Sequence, residues 1–152
     1  MPISQVLQKR IIFQQYRTWY VLDDTFSWNI EALYNTIFTH LDSVFHIPVI
    51  FCPRLEANKI ISDLGDEEDE FIRFASGIYW RELEIIFIFD FDEYLPLMET
   101  LFHEFRHVMQ DLDPDFRHYF ESDKRLPYQE RMTELDAFQF AKEKINEYLT
   151  AM

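Results

Sequence analysis

His103, Glu104 and His107 stand in the order H-E-x-x-H within the stretch ETLFHEFRHVMQ, residues 99–110. Residues four apart share one face of a helix. Two imidazoles at this spacing can therefore grip one metal ion, while the carboxylate between them serves as general base for hydrolysis. That is zinc-peptidase chemistry, and the short motif needs support from its surroundings. A zinc ion that keeps a fourth position open for water needs a third protein ligand. Four residues are candidates: His118 and Glu121 on the following loop, Asp113 six residues after His107, and Glu134 twenty-seven residues after it. Asp113 is a poor one. A ligand six residues on is usually reached through a glycine three residues after the second histidine, and Gln110 stands there. Ala137, Phe138, Ala141 and Ile145 follow Glu134 at three, four, seven and eleven residues, which puts its carboxylate on the apolar face of a helix. A carboxylate so placed is costly unless paired. A metal held by the two histidines would pair it, and so would an arginine such as Arg131 or Arg106.

The segment DEYLPLMETLFHEFRHVMQDL must carry the motif. Its residues Leu95, Met98, Leu101, Phe102, Phe105, Val108, Met109 and Leu112 recur at helical steps, predicting a helix whose apolar stripe is centred on Phe105 and Leu112. His103 and His107 fall on the opposite side, so they are not core histidines. A solvated histidine pair would explain them but not Glu104. Upstream, the apolar spacing from Ile30 to Phe45 predicts another helix, broken by Pro48. PVIFCPR, ASGIYWRE and LEIIFIF read as three strands rich in Ile, Phe, Tyr and Trp. The acidic run SDLGDEEDE between the first two lacks the alternating ligands and closing glutamate of a calcium loop, and reads as a solvated connection. DPDFRHYFESDKRL reads as a loop, and Pro127 suits the first turn of a last helix running toward Tyr148.

With 152 residues, 48% of them hydrophobic, the chain can build one ordinary core, and we expect a single domain over 1–152. Sixteen Phe, eight Tyr and three Trp against two Gly imply a bulky core and a mostly regular backbone. The net charge of −14 disfavours direct contact with nucleic acid or an anionic membrane surface, and favours a basic protein partner. Cys52 is the one cysteine, which rules out an internal disulfide and a cysteine zinc cage. No segment reaches the roughly 18 apolar residues of a membrane span, and the N-terminus lacks the pattern of a signal peptide. A cytoplasmic location is the expectation.

Taken in order, a helix leading into HIPVIF, then GIYW, LEIIFIF, TLFHEFRH and ELDAFQFA, the chain from about Ile30 to Ala141 resembles the ImmA/IrrE-like family of zinc metallopeptidases. Glu134, Ala137, Phe140 and Ala141 match that family's E-x-x-A-x-x-F-A helix. The resemblance implies that His103, His107 and Glu134 hold one zinc ion and that Glu104 activates a water on it. It also implies an α+β, zincin-like fold, with helices on a small three-stranded sheet that admits mixed pairing. The expected activity is narrow-specificity cleavage of a regulatory protein such as a transcriptional repressor, a basic DNA-binding substrate fitting the chain's charge. Two positions depart from the family: Arg106 stands where a small residue is common, and Phe138 where Asn is frequent. Arg106 could pair with a neighbour such as Asp136. Tyr128, Tyr119 and His118 are candidates for stabilising the oxyanion. The rival reading is a non-catalytic acidic binding or inhibitor protein of DNA-mimic type on the same scaffold.

Overall fold

The computed structural model describes residues 2–67 and 75–151. Its sheet has five strands among the described residues, in the spatial order β1-β2-β3-β5-β4. They are β1 (Gln14–Tyr16), β2 (Trp19–Val21), β3 (Val49–Phe51), β4 (Gly77–Trp80) and β5 (Ile85–Ile88). β2, β3 and β5 run parallel, and an antiparallel strand closes each edge, β1 beside β2 and β4 beside β5. The three strands expected from sequence are present, and the sheet is mixed. The expected total of three is corrected to five.

The extra pair is a hairpin of two three-residue strands turned at Arg17, whose φ of 52° is a left-handed value. Its turn carries none of the Asn-Gly or Asp-Gly signals that mark hairpins, and QQY is too short and polar to show an apolar alternation.

Helices cover both faces of the sheet. On one side, α1 (Ile3–Leu7) and α3 (Arg54–Asp63) cover Ile50, Ile85 and Phe87. On the other, α2 (Ile30–Leu41), α4 (Tyr94–Leu112) and α7 (Met132–Thr150) cover Trp19, Val49, Phe51, Ile86 and Ile88. Burial on both faces explains why β3 and β5 read as continuous apolar runs instead of alternating ones.

Several boundaries differ from those expected. The helix starting at Ile30 stops at Leu41, because Asp42 takes a left-handed conformation (φ 55°) that closes it well before Pro48. α3 was not anticipated, although Ala57, Ile60 and Ile61 sit at helical spacing and are fully buried. The supposed loop after α4 folds into α5 (Pro114–Arg117) and α6 (Tyr119–Asp123). Pro127 precedes a 3-10 turn, Tyr128–Glu130, and the last helix begins only at Met132. Of the acidic run, Glu68, Asp69 and Glu70 lie outside the described residues.

α4 passes under β4, and Gly77 permits the approach. A Cβ there would lie 2.8 Å from Thr100 Cγ2 and 3.1 Å from the Phe87 carbonyl oxygen. Gly77→Ala should therefore cost about 1–3 kcal/mol through overpacking. Thermal unfolding followed by circular dichroism checks this, and an unchanged midpoint would show that β4 and α4 can part freely.

Candidate metal centre

His103 and His107 stand one turn apart on α4, and Glu134 enters from the first turn of α7. His103 Nε2 lies 2.9 Å and His107 Nε2 2.7 Å from the same oxygen, Glu134 Oε1. All three residues are buried, at 8%, 8% and 9% exposure. The histidines do lie opposite the sheet-facing stripe of α4, but α7 covers that side. The apolar stripe is shorter than expected, since Leu112 is 68% exposed and the buried apolar residues run from Leu97 to Val108. Ala137 and Ala141, both fully buried, are small enough for α7 to lie close against α4.

Glu134 owes its position to a cap that does not come from its own helix. Arg131, at the N-cap of α7, makes no side-chain capping bond. Asp123 at the end of α6 does the work instead: its buried carboxylate accepts from the Met132 and Thr133 amides at 3.1 and 2.9 Å and from Thr133 Oγ1 at 2.7 Å. This satisfies donors that every helix start leaves open. Glu134, the third helical residue, also gains from the positive end of the helix dipole.

A second set of bonds orients His107. Its Nδ1 faces Gln110 Oε1 at 2.8 Å, and the Gln110 amide donates to the Thr133 carbonyl at 2.9 Å and to Asp136 Oδ2 at 2.7 Å. Since that amide nitrogen is the donor group, Oε1 must accept, which puts a proton on Nδ1 and directs Nε2 to the cluster. Arg106 anchors Asp136 through Nε at 2.7 Å, which is the pairing expected for the unusual arginine of the motif. Removal of such outer hydrogen bonds commonly lowers metal affinity 10–100-fold. Gln110→Ala is expected to show a loss of about that size in competition titrations against a chelator. Unchanged affinity would mean that His107 needs no such support.

Charge in this cluster follows from its packing. Burial opposes the ionised form of Glu134, but hydrogen bonds from His103 and His107 prevail and hold its carboxyl well below the usual range. For His107 burial again acts against the charge, and the Glu134 hydrogen bond with the fields of Glu104 and Glu134 prevails, moving the pKa up to about 9.

Glu104 is a different case. It is 5% exposed and accepts from the Tyr79 backbone N–H on β4, yet its Oε2 is buried with no hydrogen-bond partner among the described residues. Burial drives its pKa upward, and the nearby histidines only partly offset this.

The cluster opens on a cleft of about 1200 Å³. Its walls include the outer edge of β4 from Gly77 to Trp80, Glu99 and Thr100 of α4, and Phe120, Tyr128 and Phe138. The other proposed third ligands lie elsewhere. Asp113 caps α5, Glu121 pairs with Lys124, and the His118 ring packs against Tyr119. The arginine alternatives are not the partners of Glu134 either: Arg106 holds Asp136, and Arg131 Nε donates to the Leu126 carbonyl. Of the three oxyanion candidates Tyr128 alone lines the cleft, and its hydroxyl donates to Glu134.

Asp123, Gln110 and the Tyr79 amide were not foreseen. Gln110 carried a weak signal, one turn beyond His107, whereas the other two act across the fold.

The donor atoms of His103, His107 and Glu134 all lie within 4.8 Å of one another, so this buried group can hold a metal ion. The chain is thus an α+β protein with a two-histidine, one-carboxylate centre at the floor of a cleft. It belongs to the DUF3920 family, described as a protein of unknown function, whose sequence model matches residues 21–151. No curated protein and no solved structure matches the chain. The family match includes every residue of the centre. Among the described residues, no helix is long and apolar enough to cross a membrane.

Proposed function

We propose that this protein is a zincin-like, zinc-dependent endopeptidase of narrow specificity, in keeping with its resemblance to the ImmA/IrrE-like metallopeptidases. One observation carries the reading. Glu104 is buried beside the His103, His107 and Glu134 donors with one carboxylate oxygen unpartnered, a costly arrangement with no structural return.

Two imidazoles and a carboxylate are a zinc donor set of the kind that leaves one position open. When bound, the ion would polarise a carbonyl and lower the pKa of a water in that position. His103, His107 and Glu134 would hold it, with Gln110 keeping His107 in the required tautomer. Glu104 takes the proton of the attacking water and returns it to the leaving amine. The Tyr79 amide steadies that carboxylate. The Tyr128 hydroxyl, whose one proton goes to Glu134, would serve the oxygen that gains charge in the tetrahedral intermediate only by turning away from that carboxylate.

A peptide substrate would add to the outer edge of β4, held by main-chain hydrogen bonds. The net charge of −14 would draw in a basic protein, and a DNA-binding regulator such as a transcriptional repressor is the kind of target proposed. The test is cleavage of a diverse peptide library by zinc-loaded protein, followed by mass spectrometry, with Glu104→Gln alongside. Cuts made equally by both proteins would sink the reading.

A further inference from the structure

The side of the cleft next to the histidines is aromatic, and its rings come from three separate elements. Phe138 on α7 is 42% exposed and lines the cleft. Its ring centroid lies 4.5 Å from that of His103, edge-on at 66°, and 6.3 Å from that of Tyr128 at 83°. Phe120 on α6 lies 6.3 Å from the His107 ring.

Three cations, Arg81, Lys124 and Arg131, also line the cleft, and each has a partner. Arg81 sits 4.1 Å from the Phe120 centroid, and its guanidinium gives two bonds to Asp111 Oδ1, at 3.1 and 2.9 Å. An acidic substrate group would have to compete with Asp111 for it. A polar side chain set against the Phe138 and Phe120 rings would lose water without a partner from either ring, whereas an apolar one would bury both its own surface and that of Phe138.

Resting on the metallopeptidase reading, we propose that Phe138, Tyr128 and Phe120 form a specificity subsite. It takes a bulky apolar side chain, aromatic by preference, from a substrate residue bordering the cleaved bond. Phe138 is the determining residue, because it is the most open to the cleft and touches a proposed metal-binding side chain. Edge-to-face contact with an entering ring is the geometry that Phe138 already uses toward His103 and Tyr128. The basic character proposed for the substrate protein then concerns its approach and its more distant residues, and the residue at the metal is apolar.

Small hydroxamates, which chelate zinc and carry a variable tail, test this without turnover. Zinc content is measured first, and then the affinities of acetohydroxamate, 3-phenylpropanohydroxamate and succinic monohydroxamate are compared by calorimetry on wild type, Phe138→Leu and Phe138→Ala. The phenyl compound is expected to bind wild type at least about tenfold tighter than either of the others, as expected for an apolar pocket. The preference should persist in Phe138→Leu and fall below about threefold in Phe138→Ala. Equal affinities in zinc-loaded wild type, or a full preference surviving in Phe138→Ala, overturn the subsite while leaving the metal centre standing. Failure of wild type to take up zinc overturns the underlying reading, and the subsite with it.

Discussion

Wild-type protein and Glu104→Gln, purified without chelator or histidine tag and offered zinc, will each carry about one ion per chain, whereas His103→Ala, His107→Ala and Glu134→Ala will carry almost none. Three donors converge within 4.8 Å, and no other such group of three histidine, cysteine or acidic residues occurs among the described residues. Removal of one leaves two, too few for a site that also keeps a position open. Mass spectrometry of acid-digested protein measures the content. If wild type stays metal-free, the peptidase reading loses its foundation and an acidic binding protein becomes the better account. If only Glu134→Ala keeps its zinc, the third ligand is wrong.

The pH dependence adds a second check. His107 rises from 6.5 to about 9 in the folded chain. Its contribution to the stability of metal-free protein is therefore fully present below pH 6.5 and lost as pH rises through about 9. Glu134 is depressed, so its contribution is present above about pH 4.5 and lost on acidification. Zinc needs the unprotonated Nε2 of His107, so its affinity must increase with pH, by about tenfold per unit while one proton is displaced. Stability of the metal-free cluster and zinc affinity should thus move in opposite directions between about pH 7 and 9. Parallel behaviour in denaturation and competition titrations would point to ligands other than His107.

Glu104→Gln will stabilise the metal-free protein and remove the proposed peptidase activity. The substitution keeps the shape of the side chain and takes away a buried charge. Because burial raises the pKa of Glu104, its contribution to stability is present below about pH 4.5 and lost as pH climbs. At neutral pH the wild-type carboxylate is a liability. The amide leaves a polar group where Oε2 stood and removes only the charge, and each kcal/mol so gained moves the midpoint of a chain this size by about 2–4 °C. Loss of the general base should lower cleavage by about 10²–10⁴-fold. Calorimetry and a peptide assay read the two effects separately. A destabilised Glu104→Gln would assign the carboxylate a structural duty, and full activity in it would end the base assignment.

The centre was unusually legible because much of it is local. His103, Glu104 and His107 are placed relative to one another by helix geometry alone, and the Ala137 and Ala141 spacing already put Glu134 on the buried face of its own helix. The same logic found β3, β4 and β5 from their apolar, β-branched and aromatic residues. It found neither the β1–β2 hairpin, whose turn lacks a glycine, nor the helices α5 and α6, each shorter than the window that a 3.6-residue period needs.

Helix periodicity and residue type determined the two histidines, Glu104 between them and a costly carboxylate in want of a partner. Only the tertiary structure decided which partner that carboxylate met, with Arg106 drawn away to Asp136 and Glu134 set between His103 and His107. It also placed Asp123 as the cap of α7, the Thr133 carbonyl and Asp136 as the anchors of Gln110, and Phe138 at the cleft wall. Contacts of this kind depend on how separate elements pack, and hydrogen bonds spanning ten to thirty-one residues leave no periodic trace along the chain.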